Sequence, residues 1–540
     1  MPSVNGNGPD GRRYWRSLDE VADTPEFRDF MFKEFPSGAD ALLDGPDRRG
    51  FLKVMGASMA LAGAGLTGCR RWPREVIAPY ASRPEGMIPG VSEQFATIVE
   101  HEGVATGILA TCYDGRPTKL EGNPSHPGSL GAMTGWQQAT VLDLYDPDRT
   151  RQVHLRPGTA AKAARKTWGE FDAWWKSQSE ALEKKQGAGL RFLSESSGSP
   201  SVQRMQRAIR KRFPKAQWIT WDATGNSAER AGLETALGGP LRPVHDLSKA
   251  DVVLSLDCDF LGDHPDMLSM ARGWAARRNP DDGPMNRVYI AEPGVSVTGA
   301  SADDRYAMPA SHVTALAIEI AAAITGNGTP STEMGRTIAA DLKAHRGHSL
   351  VMAGRSQPAA VHAACAAINE ALGNTGNTVR YARVAEPEMK TASIATLVSD
   401  MKAGSVDTLI TLGGNPAWNT PADLDFLQAT AKVANTIHFG TQDDETSAAC
   451  RWHLIAAHPL EAWGDGRAWN GTISIQQPMI RPLWNGRSTI ELLALLAGEE
   501  TIDGFEIVRR TWEETTGAAA TPAGEEPPFD SNWRKALHDG

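Results

Sequence analysis

Short apolar runs alternate with helical segments between residues 190 and 440 of this chain. Each run is five or six residues long and rich in β-branched residues, and the segments between them carry apolar residues at helical spacing. Continuous apolar strands between helices are typical of a parallel sheet that is covered on both faces. The pattern therefore predicts an α/β protein with doubly wound, parallel-sheet lobes. The expected strands are Leu190–Ser194, Gln217–Trp221, Asp251–Leu256, Arg287–Ala291, Ser349–Ala353, Thr378–Ala382, Asp407–Leu412 and Asn435–Gly440.

Residues 47–69 have the layout of an export signal, with an arginine pair before a short apolar stretch at 54–66. That stretch is shorter than the ~20 residues that a membrane-spanning helix needs. The paired arginines indicate the twin-arginine route, and the small residues before Cys69 make this cysteine the expected lipidation site. A buried amphipathic helix is the alternative, and four glycines in the segment count against it. The signal residues are Arg48, Arg49, Phe51, Leu52 and Lys53.

At 540 residues the chain is too long for a single core, so several domains are expected. A helical linker ends the first lobe at residue 346. The segment Gly517–Pro528 is of low complexity and is predicted to be disordered. The expected parts are an N-terminal segment that is either a leader lost on cleavage or a structured arm (1–46), the Tat/lipoprotein-type signal (47–69), an extended segment with a small β domain (70–160), a first α/β lobe (161–346), a second α/β lobe (347–500) and a disordered tail (501–540).

The five cysteines lie far apart, and the nearest pair is separated by 43 positions. Iron–sulfur clusters and structural zinc sites group their thiolates with about two to four residues between ligands, so no such site is expected. Lone cysteines at such positions are predicted to be small buried hydrophobic residues, and any disulfide pairing stays open. A net charge of −10 without a Lys/Arg run after Arg71 argues against a nucleic-acid partner.

The best candidate for a ligand site is the turn Gly413-Gly414-Asn415-Pro416, which directly follows an expected strand. Ligands of open α/β sheets bind beyond the carboxyl ends of the strands. Two glycines permit a close approach, and the asparagine offers amide hydrogen bonds. An ordinary strand-to-helix turn explains the same residues. The loop 291–299 is a second candidate with the same alternative. The histidines lack metal-site spacing, so no catalytic residue and no metal ligand is predicted.

Residues 115–127 (GRPTKLEGNPSHP), followed by 145–149 (YDPDR), resemble the N-terminal part of the molybdopterin oxidoreductases. The turn at 413–416 resembles the dinucleotide-binding exit of that family, and the resemblance covers about residues 95–495. Several departures accompany it. Only Cys112 stands where cluster-bearing members have four cysteines, no molybdenum ligand can be assigned, and the final β-barrel of the family is missing.

The opening Tyr14–Glu20 (YWRSLDE), the displaced signal and the cofactor-poor body together resemble the large B subunit of alternative complex III. This resemblance implies that 413–416 is a vestigial pterin site and that the chain binds neither molybdopterin nor a metal. Iron–sulfur clusters are then expected in a ferredoxin-like partner or in a C-terminal half outside this sequence. Membrane quinol-binding subunits and cytochrome c-type subunits are the other implied partners, at the periplasmic face of the bacterial inner membrane.

The leading hypothesis is therefore an exported scaffold subunit that is not catalytic by itself. The rival is a molybdopterin-dependent catalytic subunit of the tetrathionate or polysulfide reductase type, which would hold its metal without a protein ligand. A dinucleotide-binding module is a third possibility, but no Gly-x-Gly-x-x-Gly follows a strand.

Overall fold

Two parallel sheets of unequal size form the centre of the chain in the computed structural model, which describes residues 24–25, 88, 90–156, 163–384, 388–516 and 528–540. All elements below lie in the unit Met87–Gly540. The strands of the described residues are β1 (Ser92–His101), β2 (Val104–Tyr113), β3 (Arg116–Gly122), β4 (Val153–Leu155), β5 (Ala164–Lys166), β6 (Leu190–Ser194), β7 (Gln217–Thr220), β8 (Leu241–His245), β9 (Val252–Leu256), β10 (Arg287–Glu292), β11 (Asp304–Ala307), β12 (Ser349–Ala353), β13 (Val379–Arg383), β14 (Lys390–Ala392), β15 (Thr408–Leu412), β16 (Asn435–Gly440), β17 (Trp452–Ile455), β18 (Gly464–Arg467) and β19 (Ile473–Gln476).

Helices cover both sheets, and many begin at a Ser or Thr cap whose side chain accepts a hydrogen bond from the first turn. The α-helices of the described residues are α1 (Gly135–Leu144), α2 (Trp168–Lys184), α3 (Pro200–Arg212), α4 (Ser227–Leu237), α5 (Met267–Ala275), α6 (Val297–Ser301), α7 (Ala310–Thr325), α8 (Glu333–Ala344), α9 (Ala359–Leu372), α10 (Ile394–Lys402), α11 (Pro416–Asn419), α12 (Phe426–Thr430), α13 (Glu445–Ala449), α14 (Thr489–Ala497), α15 (Gly504–Thr516) and α16 (Pro528–Asp539).

The larger sheet has eight strands in the order β14-β7-β6-β15-β16-β17-β4-β5. The first six strands in this order, from β14 to β17, are parallel to one another. The last two, β4 and β5, form an antiparallel edge. The smaller sheet has the order β11-β10-β9-β12, and all of its strands are parallel. Strands β1 to β3 form a separate antiparallel sheet. The expected α/β class and the small β-containing N-terminal part are thus confirmed.

The expected division into lobes at 161–346 and 347–500 does not match the sheets and is corrected here. Strand β12 pairs with β9 across that boundary, and β6 pairs with β15 in the larger sheet. The chain leaves the larger sheet after β7, builds the smaller sheet with the β8–β13 pair, and returns at β14. The smaller sheet is therefore an insertion. Local apolar runs predicted the strands, but packing between distant segments decides their partners.

The expected disorder over 501–540 is wrong for α15 and α16. Trp533 is 5% exposed and its ring lies edge-on to Phe505 and Trp512, with centroids 5.9 and 6.0 Å away. The carbonyl of Leu537 accepts a hydrogen bond from Gln477, which fixes α16 beside β19. Apolar residues at helical spacing let these helices bury one face, which orders them. The prediction of disorder relied on the low-complexity composition of 517–528 and did not use this spacing.

The four described cysteines, Cys112, Cys258, Cys365 and Cys450, are buried, which confirms the prediction for them, and none of them forms a disulfide. Within the described ranges, no helix is both long and apolar enough to cross a bilayer. The signal residues Arg48, Arg49, Phe51, Leu52 and Lys53 and the lipidation candidate Cys69 lie outside the described residues.

Candidate functional site

A cleft of about 610 Å³ opens where β6, β7, β15 and β16 end. Because these strands are parallel, their carboxyl ends meet at one edge of the larger sheet, which is where α/β proteins bind ligands. The inserted strand β8 and the hairpin β18–β19 supply the rest of the lining. The site predicted from strand ends is therefore a real concave surface of the molecule.

Acidic side chains dominate the charge of this cleft. Seven carboxylates and two arginines line it, namely Glu100, Glu102, Glu195, Asp222, Glu229, Asp444, Asp465, Arg230 and Arg242. Clefts lined by one sign of charge focus the field and raise the local concentration of the opposite charge. The cleft as a whole is thus unfavourable for a multiply charged anion.

The loop between β6 and α3 runs along one wall and carries four serines, Ser196, Ser197, Ser199 and Ser201. Helix α3 starts within it: Ser199 caps the helix by accepting a hydrogen bond from the amide of Val202 at 3.1 Å. A loop of this kind at a helix N-terminus presents free amides and a positive dipole end, which is the arrangement that proteins use to bind phosphate.

Three carboxylates of the protein take the hydrogen bonds that this loop offers. The amide of Ser196 donates to Asp222 at 2.9 Å and that of Gly198 donates to Glu100 at 2.8 Å. Asp465 accepts from the amide and the hydroxyl of Ser201, at 3.1 and 2.6 Å, and from the hydroxyl of Ser199. Burial raises the pKa of Glu100 to about 7 and also raises that of Asp465, against the hydrogen bonds that lower both. The phosphate-type donors are thus satisfied internally.

The candidate turn Gly413-Gly414-Asn415-Pro416 forms the neighbouring wall. Gly413 and Gly414 both have positive φ, at 71° and 66°, so the double glycine is required by the backbone. Three of the four residues line the cleft, whereas Pro416 is buried and begins α11. Gly414 packs against the side chain of Glu195. A Cβ atom at position 414 would lie 3.2 Å from that side chain.

Asn415 is held by α13 and does not point a free amide into the cleft. Its Oδ1 accepts from the hydroxyl and the amide of Thr446, at 2.7 and 3.2 Å, and its Nδ2 donates to Glu445 at 2.6 Å. The second sequence candidate, the loop 291–299, is not part of the cleft lining. Glu292 holds that loop by accepting from the amide of Ser296 and from Arg305.

Three histidines that are scattered in sequence form a row behind the turn. His438, His453 and His154 are register partners on β16, β17 and β4. The Nδ1 atoms of His438 and His453 lie 3.1 Å apart, His438 Nε2 lies 3.3 Å from the Gly414 carbonyl, and His453 Nε2 lies 2.8 Å from the Thr150 hydroxyl. Burial lowers the pKa of His453 to about 3, with the neighbouring His438 as a further cause.

Because a neutral imidazole has one donor and one acceptor nitrogen, these contacts fix the tautomers. His438 donates from Nε2 to Gly414, His453 donates from Nδ1 to His438, and Thr150 donates to His453. A chain of hydrogen bonds from Thr150 through His453 and His438 thus supports the glycine turn from behind, while His154 adds only a ring contact with His453. In the described part of the chain, no group of His, Cys, Asp or Glu has the arrangement of a metal site.

Sequence reasoning missed the carboxylates and the histidine row. Glu100, Asp222 and Asp465 come from three elements that are separated by more than a hundred positions, and nothing local marks them as partners of one loop. The histidines show no spacing motif because their proximity depends on strand register. That register follows from sheet pairing alone.

The chain matches no protein-family profile. The chain is 22% identical to the menaquinone reductase, molybdopterin-binding-like subunit, of Nitratidesulfovibrio vulgaris over an alignment of 543 residues. This alignment covers 90% of this chain and 77% of that subunit. Among solved structures, acetylene hydratase from Pelobacter acetylenicus superposes with a TM-score of 0.59 at 12% identity, over 82% of this chain and 74% of that one. The topology and this superposition together show that the chain has a molybdopterin oxidoreductase-type fold.

Proposed function

We propose that the chain is a cofactor-poor scaffold subunit of a quinone-linked oxidoreductase complex of the alternative complex III type. Similarity to a menaquinone reductase subunit over 90% of the chain supports the link to quinone chemistry. In this role the chain binds an iron–sulfur partner and positions it against membrane quinol-binding subunits and a cytochrome c-type subunit. The electrons then pass through the partners, and this chain supplies shape and contact surface.

The observation that carries the proposal is the internal satisfaction of the β6–α3 loop. The dinucleotide form of a pterin cofactor carries phosphate groups, which need free amide donors and positive charge. Here Glu100, Asp222 and Asp465 already accept from that loop. Glu195 adds a further carboxylate beside Gly414. A phosphate placed there would have to displace these carboxylates, so the residues present do not fit the cofactor.

The described thiols also favour a structural role. Burial raises the pKa of Cys112 to about 11 and that of Cys365 and Cys450 to about 12. Thiolates, not thiols, bind metals, so these side chains are poor ligands in their present surroundings. None of the three contributes to the cleft lining within the described residues.

The second candidate is a molybdopterin-dependent catalytic subunit of the tetrathionate or polysulfide reductase type. One observation favours it: the cleft lies at the strand ends and includes the Gly413–Asn415 wall, where a pterin dinucleotide is expected in this fold. Its carboxylate lining weighs against this candidate for the reason given above.

The location is part of the same proposal. The twin-arginine motif Arg48–Arg49 and Cys69 support export of the folded chain to the periplasmic face of the inner membrane, with a lipid on the cysteine. One acyl chain binds a membrane only marginally, so contacts with membrane subunits supply the remaining anchoring. Cys69→Ser is expected to leave an uncleaved precursor of lower electrophoretic mobility. Unchanged mobility would contradict lipidation.

Purification of the tagged chain from native membranes tests the proposed role. We expect quinol-dependent reduction of an electron acceptor by the complex, with all iron–sulfur signals assigned to partner subunits after the complex is separated. Quinol or acceptor turnover by the separated chain alone would contradict the scaffold role.

A further inference from the structure

A buried arginine without a polar partner lies on the inserted wall of the cleft. Arg242, on β8, is 7% exposed and lines the cleft, and its Nε has no hydrogen-bond partner. No ion pair joins its guanidinium to another described residue. Buried polar groups of native proteins are almost always hydrogen-bonded, and a buried charge is normally paired. An exception at the surface of a cleft points to a missing ligand.

The arginine is held in place by an aromatic ring. Its guanidinium carbon lies 5.0 Å from the centroid of Trp469. Trp469 is itself fixed, because its indole nitrogen donates to the carbonyl of Pro243 at 2.7 Å. A guanidinium stacked on a ring keeps the edge of its planar fork free for a bidentate acceptor.

Charged groups of both signs surround Arg242 on this wall: Arg230 and Arg467 on one side of the balance, Glu229 and Asp266 on the other. Arg230 lines the cleft beside Arg242. The pKa of Arg242 is lowered to about 10, mainly by burial and next by the nearby Arg467, while the charges of Glu229 and Asp266 raise it. An anion bound to the open edge of the guanidinium offsets the cost of burial further. Glu229 lines the same region, is 6% exposed and likewise has no hydrogen bond or ion pair among the described residues. Burial raises its pKa to about 7, so it can be a protonated donor near neutral pH.

The lining also restricts the kind of anion. Carboxylates elsewhere in the cleft disfavour a ligand with several negative charges. Leu241, Val384 and Trp463 line the same cleft, are only partly buried, and offer apolar or ring surfaces to the body of a ligand. A single planar anionic group with an apolar body satisfies both conditions, because a carboxylate matches the arginine fork with two parallel hydrogen bonds.

We propose that the inserted wall of the cleft binds a small monocarboxylate with an apolar or aromatic body, held by the guanidinium of Arg242 and by Glu229. This site goes beyond the proposed scaffold function and does not depend on it. A scaffold subunit with such a site binds a small organic acid without catalysing its conversion.

Calorimetric titration of the purified chain with benzoate tests the proposal, with benzyl alcohol and inorganic phosphate as comparison probes. We expect one benzoate per chain and weaker binding of both comparison probes. Arg242→Gln is expected to weaken benzoate binding about 10- to 100-fold, the range for loss of a hydrogen bond to a charged group. The matched control Arg207→Gln removes an exposed arginine of α3 that pairs with Glu388, and it should bind benzoate as the unaltered chain does.

Thermal melting without ligand separates binding from folding. Arg242→Gln should melt close to the unaltered chain, because Arg242 has no hydrogen bond to lose and gives up only its contact with the Trp469 ring and its attraction to Glu229 and Asp266. If that variant fails to fold, Arg242→Lys takes its place, since it keeps the charge and loses the fork. Absence of benzoate binding, equal binding by the Arg242 variant, or tighter binding of phosphate than of benzoate would each overturn the proposal.

Discussion

Two buried arginines of this molecule have opposite surroundings. Arg149, which follows α1, is 4% exposed and makes a bidentate pair with Glu461 at 2.7 and 3.1 Å, with a further bond to the Leu144 carbonyl at 2.8 Å. Arg242 is 7% exposed and has neither a hydrogen bond nor an ion pair among the described residues. The first arginine holds distant segments together. The second makes no such link, and its guanidinium lies over the Trp469 ring at the wall of the cleft.

The same contrast divides the cleft. On the β6–α3 side the amides of Ser196, Gly198 and Ser201 have carboxylate acceptors within the protein, so they are not free to bind a ligand. On the β8 side Arg242 and Glu229 make no side-chain hydrogen bond to a described residue, although their charges act on each other. Satisfied polar clusters make a core rigid, whereas unsatisfied ones need a ligand. The cleft therefore lacks free donors for a phosphate at the β6–α3 loop, whereas Arg242 on strand β8 keeps donors that a ligand can use.

The largest expected effect comes from the paired arginine. Arg149→Met leaves Glu461 buried without its partner and should lower the free energy of unfolding by about 3–5 kcal/mol. Urea denaturation followed by circular dichroism measures this loss. The double variant Arg149→Met/Glu461→Gln removes both charges and keeps one oxygen for the amides of His458 and Leu483, so it should regain part of the stability. A double variant no more stable than the single one would contradict the assignment.

The second largest effect is expected at Asp465, which accepts hydrogen bonds from the β6–α3 loop. Asp465→Ala leaves the hydroxyls of Ser199 and Ser201 and the Ser201 amide without their acceptor. We expect a loss of about 2–4 kcal/mol in the free energy of unfolding. Asp423→Ala, at an exposed position, is the control and should stay within about 0.5 kcal/mol of the unaltered chain. Equal stability of the two variants would mean that the loop does not depend on Asp465.

The unpaired carboxylate predicts a pH dependence. Burial raises the pKa of Glu229 from its ordinary value of 4.5 to about 7, so its contribution to stability is complete below pH 4.5 and is lost as the pH rises through 7. Glu229→Gln cannot ionise. It should match the unaltered chain at pH 4.5 and exceed it by about 1–3 kcal/mol at pH 8. Denaturation curves at both pH values measure the difference, and a difference that does not change with pH would refute this assignment.

The smallest expected effect is a gain. Arg242→Met replaces a buried charge that has no partner by an apolar side chain of similar length. We expect the free energy of unfolding to rise by about 1 kcal/mol, measured in buffer free of carboxylates. A loss comparable with that of Arg149→Met would show that Arg242 is as much a structural residue as Arg149.

The sequence predicted the elements better than their arrangement. Strands such as β6 and β15 lie where their apolar runs placed them, because a run of β-branched residues specifies a buried strand locally. The insertion could not be read in this way, since β6 and β15 pair over more than two hundred positions. Helix α16 was missed because the composition of the preceding segment suggested disorder.

The site shows the same limit. Gly413 and Gly414 were found because a double glycine after a strand is a local signal. Glu100, Asp222 and Asp465 converge on one loop through tertiary packing, and Arg242 stands out only because its partner is missing. A sequence shows which residues can ionise, but burial and neighbours decide which of them are paired.

The cofactor content of the native complex tests the central claim most directly. Molybdenum is measured per chain by mass spectrometry, and guanine nucleotide is measured after release by acid denaturation. We predict that both are far below one per chain, because Glu100, Asp222 and Asp465 accept the hydrogen bonds of the β6–α3 loop that a pterin dinucleotide needs. One molybdenum and one guanine nucleotide per chain would contradict the scaffold account.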